Sequence, residues 1–149
     1  MKTSLKIIHI LSLILFLGSI FTYILISAMI ENALLSDLAF GRSIISRGTS
    51  LLTLPALWMV LITGILMRKE AGISFFKTKL VTGILILANA HIFVAGAVAL
   101  ATSLALDAET NGVLSTKYHQ AYLKESVFGA MNILLAMFAL WYAVSRKKE

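Results

Sequence analysis

Four apolar runs, each long enough to span hydrocarbon, dominate the chain, and polar positions fall between them or recur along one face of each. Leu5 to Met29 is broken only by Lys6, His9 and small hydroxyl residues. At 1.5 Å per residue it crosses a bilayer core of ~30 Å. Leu51 to Met67 is the second run, with Pro55 near its start, where a membrane helix tolerates proline if neighbours satisfy the freed carbonyl. Leu80 to Leu106 is the third and longest, and Ser126 to Ser145 the fourth, closed by Arg146, Lys147 and Lys148. The expected architecture is an all-α integral membrane four-helix bundle, a single domain over residues 1–149 with spans near 5–29, 51–67, 80–106 and 126–145.

The linkers differ in character. Glu31 to Ser50 is polar yet free of Gly and Pro until Gly41, which predicts an amphipathic approach to the second span, able to run continuously into it. Asp107 to Lys124 contains Asn111-Gly112 and reads as a loop. Neither is long or biased enough for a second domain, and no internal repeat is visible. The first run begins like an export signal with Lys2 and Lys6, but its apolar part exceeds the ~7 to 15 residues of such a signal, so it is expected to be a retained helix.

Helical spacing marks the faces that should meet in the bundle, because small and polar residues mark helix contacts in lipid. The first span aligns His9, Ser12, Phe16, Ser19, Tyr23 and Ser27. The second aligns Arg42, Ser46, Thr49, Thr53, Ala56, Val60, Thr63, Gly64 and Met67 if its helix starts early, and the fourth aligns Glu125, Gly129, Asn132, Ala136, Ala139 and Ala143. Larger residues at Gly129 or Ala136 are expected to force packed backbones apart. The third span is the least one-sided: Thr82, Asn89 and Gly96 lie beside Gly83, Ala90, Ala97 and Ala101, as in a central helix touched from several sides.

Composition supports the membrane assignment: 59% of the 149 residues are hydrophobic and 13% charged, with mean hydropathy +0.92, against roughly half and a quarter in soluble domains. Having no cysteine, the chain has no disulfide and no thiolate metal site. The net charge of +6 lies at the ends of apolar runs, which argues against a nucleic-acid partner. It reads instead as a topology signal. Lys2, Lys6, Arg68, Lys69, Lys77, Lys79, Arg146, Lys147 and Lys148 go with the termini and the second loop, against Arg42, Arg47, Lys117 and Lys124 in the first and third loops. The positive-inside rule then places both termini in the cytoplasm, with the protein in the cell inner (plasma) membrane.

Candidate chemistry centres on histidine, since neutral imidazole can ligate iron, transfer protons or bond a neighbouring helix. His9 reads as either an interfacial polar residue or a ligand. His91, deep in a span, has a stronger functional claim, because ionisable groups there are costly. His119 is a loop residue. Arg47 and Lys79 are either interfacial anchors or partners for ligand carboxylates. Glu125 is placed to cap the fourth helix, and Asn89 and Asn132 to bond between helices. Trp58, Trp141 and Tyr142 fit lipid contact or an interfacial belt. Depths counted along the helices bring His9 and Lys79 together near the inner surface, and leave His91 ~16 Å from His9.

Several motifs, in order over all four spans, resemble the four-helix membrane protoporphyrinogen oxidases, the HemJ-like family. They are Lys6-Ile7-Ile8-His9-Ile10 with Gly18; Arg47 followed by Pro55-Ala56 and Gly64; Lys79-Leu80 with His91 downstream; and Glu125-Ser126-Val127. The Pro-Ala to Thr63-Gly64 pattern is equally similar to related membrane families of unknown function and to the membrane domain of copper-resistance D proteins. The resemblance implies a haem-associated redox protein oxidising protoporphyrinogen to protoporphyrin, with haem b passing electrons to a membrane acceptor such as quinone. His9 and His91 would be metal ligands, and Arg47 and Lys79 would bind propionates. For two ligands of one iron the depth difference is too large, so the helices must be shifted or the two histidines serve different ligands. The alternative is a non-enzymatic membrane protein, a copper-handling or solute-transport accessory. Partners implied are the lipid bilayer, a tetrapyrrole and quinone, with self-association into a homo-oligomer open.

Overall fold

A computed structural model describes residues 2–67 and 73–145. Arg68, Lys69, Arg146, Lys147 and Lys148, which carry much of the charge asymmetry, lie outside the described residues. Four helices form the bundle: α1 (Lys2–Ile30), α2 (Leu35–Leu66), α3 (73–111) and α4 (Thr116–Ser145). All four are long and apolar enough to cross a membrane, and no strand occurs among the described residues. The chain is all-α, as the periodicity predicts.

The amphipathic approach and the second span are one helix. Within it, Thr49–Thr53 forms a π-turn immediately before Pro55. Proline lacks an amide hydrogen and its ring crowds the carbonyl one turn back. A wider turn at that point gives the ring room without breaking the helix. A second π-turn, Ala90–Val94, interrupts α3 and contains His91.

The polar stretch expected as a loop from Asp107 to Lys124 is mostly helical. α3 continues to Asn111, and Gly112, at φ +73°, ends it by donating its amide hydrogen to the Ala108 carbonyl at 2.8 Å. Such a left-handed position suits glycine, which has no Cβ to clash. The helices extend because one face stays apolar: Ala101, Ala105, Tyr118 and Ala121 pack with Leu38 in a buried cluster. Asp107, Glu109, Lys117 and Lys124 occupy the exposed faces. Sparse polar residues on an otherwise packed helix mimic a loop in sequence.

α1 packs along the C-terminal half of α2, the N-terminal half of α2 packs on the C-terminal half of α3, and α4 runs beside α3 along both of its halves. Phe16, Ala56, Leu57, Ile86, Ala90 and Ala136 form the main core. The polar stripes face inward: Ser12, Ser19 and Ser27 on α1, Thr49, Thr53 and Thr63 on α2, and Asn132 with Ala136 on α4 are buried. Conversely Leu25, Leu51, Ile92 and Leu134 are exposed, which suits contact with lipid tails.

Two long-range polar contacts pin the bundle. The Asn89 carboxamide on α3 donates to the Phe128 carbonyl at 2.8 Å and to the Asn132 side-chain oxygen at 2.7 Å, the interhelical bond expected of these residues. Arg42 of α2, 0% exposed, forms an ion pair with Glu125 of α4. Glu125 therefore does not cap the fourth helix; that helix begins nine residues earlier at Thr116, and the carboxylate is spent on a buried guanidinium. Neither Arg42 nor Arg47 lies in a loop, since both are on α2.

Candidate functional site

Among the described residues a cavity opens in each half of the bundle, with Phe16 in the wall of both. The first, of about 330 Å³, lies toward the end that carries the N-terminus and is lined by His9, Phe16, Leu57, Gly64, Lys79 and Ala136 among others. It is mainly apolar, with one imidazole and one ammonium as its ionisable groups. The sequence expectation that His9 and Lys79 are neighbours at one end of the bundle is met. α1 and the start of α3 run the same way and both flank the C-terminal half of α2.

The orientation of His9 follows from hydrogen-bond arithmetic. Its Nδ1 lies 2.9 Å from the Thr63 hydroxyl. That hydroxyl has one proton, and it is directed at the carbonyls of the preceding turn, Met59 at 2.5 Å and Val60 at 3.2 Å. With that proton on either carbonyl, the Thr63 oxygen accepts from His9, an arrangement in which Nδ1 carries the hydrogen and Nε2 the lone pair. An imidazole fixed through Nδ1 with a basic Nε2 is the arrangement that protein–metal sites build with an outer-shell partner. Thr63 was legible only as part of a stripe; its role as the orienting group needs the α1–α2 contact.

His91 is elsewhere. Its Nε2 accepts from the Trp58 indole N–H at 3.3 Å, with the two rings edge to face at 5.9 Å, and its Nδ1 approaches the Leu87 carbonyl at 3.1 Å. It is exposed and lines neither cavity. The partners of the two histidines, Thr63 and Trp58, stand five residues apart on α2, which is ~140° around a regular helix. His9 and His91 thus contact different sides of α2, and the structure does not bring them together. Of the two options left by their difference in depth, separate roles is the one that this geometry supports. Trp58 is a partner for His91 as well as an exposed ring.

Arg47 projects from an exposed face of α2 and lines neither cavity, whereas Lys79 lines the first. Turning Arg47 inward would require rotating α2 and withdrawing its buried neighbours Arg42, Ile45 and Thr49. His119 is exposed on α4, its ring edge to face with Tyr118 at 5.6 Å. Among the described residues no group of three or more His, Cys, Asp or Glu side chains is arranged to hold a metal ion.

The second cavity, of about 310 Å³, lies toward the opposite end. Tyr23, Ser27, Tyr122, Glu125 and Asn132 are among its polar lining, and Gly129 opens its wall. A Cβ built on Gly129 meets no atom within 4 Å. The residue faces the cavity, so the expectation that a larger side chain there forces backbones apart gives way to one in which it fills empty space. Both π-turns border this cavity, through Thr49, Thr53, Ala90 and Val94.

The chain matches the model of the family described as "Predicted integral membrane protein (DUF2269)" over residues 3–147. It belongs to that family, whose description agrees with the broad membrane assignment. No curated protein and no solved structure matches it.

Proposed function

We propose that this member of the DUF2269 family of predicted integral membrane proteins is a haem-associated membrane redox protein, holding a tetrapyrrole against the first cavity through His9. The observation that carries this is the His9 imidazole, tied to Thr63 through Nδ1, in the wall of a mainly apolar cavity that Lys79 also lines. The donor set suits haem b: His9 would supply a neutral nitrogen to its iron, and the Lys79 ammonium would pair with a propionate. His91 and Arg47 take no part in this site. At about 330 Å³ the cavity is at the small end of ligand pockets, but the exposed side chains Ile65 and Leu140 lie on its rim. A macrocycle larger than the void would extend past them into lipid.

Haem, when bound, supplies one-electron chemistry, and the resemblance carried by Lys6 to Ile10, Pro55-Ala56 and Lys79-Leu80 makes porphyrinogen oxidation the activity to assay. The chain's contribution is to orient: Thr63 holds the ring, α1 and α2 exclude water, and Lys79 sets which edge of an amphipathic ligand faces the bundle end.

The test is the absorption spectrum of detergent-purified protein titrated with haem, oxidised and reduced. A Soret band that is lost in His9→Ala, red- or blue-shifted in Thr63→Val and retained in His91→Ala and His119→Ala is the expected pattern. Failure of the wild type to bind haem, or loss of the band in His91→Ala but not in His9→Ala, refutes the proposal. Copper bound without a Soret band and released by His9→Ala would identify the non-enzymatic alternative.

A further inference from the structure

The two cavities lie end to end, divided by one layer of side chains. On α2 the lining of the second cavity stops at Leu54 and that of the first begins at Leu57; on α3 the corresponding residues are Ala90 and Ile86, and on α4 Ile133 and Ala136. None of these gaps exceeds about one helical turn. On α1 there is no gap, because Phe16, 1% exposed, borders both cavities. The main core, Phe16 with Ala56, Leu57, Ile86, Ala90 and Ala136, is thus a girdle across the bundle. Three of its six members are alanine, so the partition depends chiefly on the Phe16 ring. Beyond the girdle, the linings run to Ser27, three residues before the end of α1, and in the other direction to Met67, just past the end of α2.

Directly against the girdle stands a chain of hydroxyls. Ser19 Oγ lies 2.8 Å from the Phe16 carbonyl and 2.8 Å from Thr53 Oγ1, which lies 3.5 Å from the Tyr23 hydroxyl. Each of the three oxygens can accept one hydrogen bond while donating another, so the chain can run in either direction. Thr53 and Tyr23 line the second cavity, and Ser27, Tyr122 and Ser126 continue its hydroxyl lining toward the helix ends. A cavity of about 310 Å³ with such walls has both the room and the polar partners that water needs. Stripping a metal cation or a halide of its hydration requires rings of carbonyls or charged side chains, which scattered hydroxyls in apolar walls do not supply. A proton requires only hydroxyls and water in hydrogen-bond contact.

We infer that the two cavities are the halves of one proton path through the bundle, with Phe16 as its hydrophobic gate. A proton on water in the second cavity is taken up by the Tyr23 oxygen as that phenol passes its own proton to Thr53. Thr53 hands one on to Ser19 in the same way, and Ser19 to water that enters the girdle when the Phe16 ring swings aside. Each oxygen gains one proton and loses one, so no hydroxyl is left charged and one proton reaches the first cavity for each that enters. With voids of about 330 and 310 Å³ on its two sides the ring has space to leave the girdle. With the ring in place the layer is dry and closed, as in constrictions that gate by dewetting. The path needs no haem; a ligand seated in the first cavity would be its terminus, and without one the first cavity completes the crossing.

The experiment is proton entry into K⁺-loaded phospholipid vesicles that hold the full-length, haem-free protein and a trapped pH-sensitive dye, driven by the potential that valinomycin sets. The wild type should acidify the interior several-fold faster than protein-free vesicles, and Phe16→Ala roughly ten-fold faster again. Gly129→Leu fills the second cavity, its Cβ meeting no atom within 4 Å, and Gly64→Leu fills the first, its Cβ meeting only His9 Cε1 at 3.6 Å. Each alone should return the flux to the protein-free level, in the wild type and in Phe16→Ala. Thr53→Val, which keeps the shape and removes the central hydroxyl, should slow it several-fold. Leu38→Ala opens a hole in the other core cluster and should conduct as the wild type does, which separates a gate from a packing defect. Phe16→Val takes the place of Phe16→Ala if the latter melts early. Wild-type flux at the protein-free level, a Phe16 variant no faster than the wild type, or flux that survives the filling of either cavity overturns the inference. So does undiminished flux in Thr53→Val, flux in Leu38→Ala equal to that in the Phe16 variant, or K⁺ release without valinomycin that keeps pace with the protons.

Discussion

Replacing Glu125 should damage the fold more than replacing Arg42, although the two form one ion pair. Arg42 is fully buried, its Nε has no hydrogen-bond partner, and beyond the carboxylate its nearest compensation is the Tyr122 ring at 6.0 Å. In Glu125→Leu a guanidinium that cannot shed its proton is left at the centre of the bundle, which costs about 3–5 kcal/mol. In Arg42→Met the carboxylate remains, but it is partly exposed and borders a cavity where it can meet water; about 1–3 kcal/mol is expected. The double variant removes both charges and should lie within about 1–2 kcal/mol of the wild type, since apolar groups of similar volume often replace a buried pair without loss. Reversible unfolding in mixed detergent micelles, followed by tryptophan emission, measures all three. Additive single losses, or a greater loss in Arg42→Met than in Glu125→Leu, would refute the asymmetry and the burial on which it rests.

Two further outcomes are expected from other parts of the molecule. A methyl group at Gly48 would collide with the Tyr23 hydroxyl, so Gly48→Ala should cost about 1–3 kcal/mol in the same assay and almost nothing when Tyr23 is also Leu. Reporter fusions after Lys148 should be active in the cytoplasm and fusions within 112–115 only outside it, from the excess of basic residues near the termini and the second loop, which grows once Arg42 and Arg47 are placed on α2; the reverse pattern would remove the orientation.

The composition and the four apolar runs were sufficient for the architecture, because a backbone in hydrocarbon must bond to itself and a run of about twenty apolar residues has helix as its solution. Stripe assignment also survives well: Ser12, Phe16 and Ser19, like Thr53 and Asn132, are buried where spacing put them. Spacing fails where the helix departs from its regular period. Gly96 lies seven residues from buried Asn89 and should share its face, yet it is exposed. The π-turn Ala90–Val94 lies between them, and its one extra residue rotates everything beyond by ~100°. Nothing in the local composition of Ala90 to Val94 announces that turn.

Depth along a helix was likewise legible, and it was enough to pair His9 with Lys79. Azimuth was not. Whether His91 faces the bundle or Trp58, whether Arg42 meets Glu125 or the headgroups, and whether Gly129 abuts a backbone or a void depend on how four helices rotate against one another. Each helix presents several low-cost faces to its neighbours, and only their simultaneous packing selects among them. The sequence alone therefore determined that the chain is a membrane bundle and which residues are costly enough to matter. Tertiary structure alone decided the partners: Thr63 for His9, Trp58 for His91, and an α2–α4 ion pair between two charges that lie 83 positions apart.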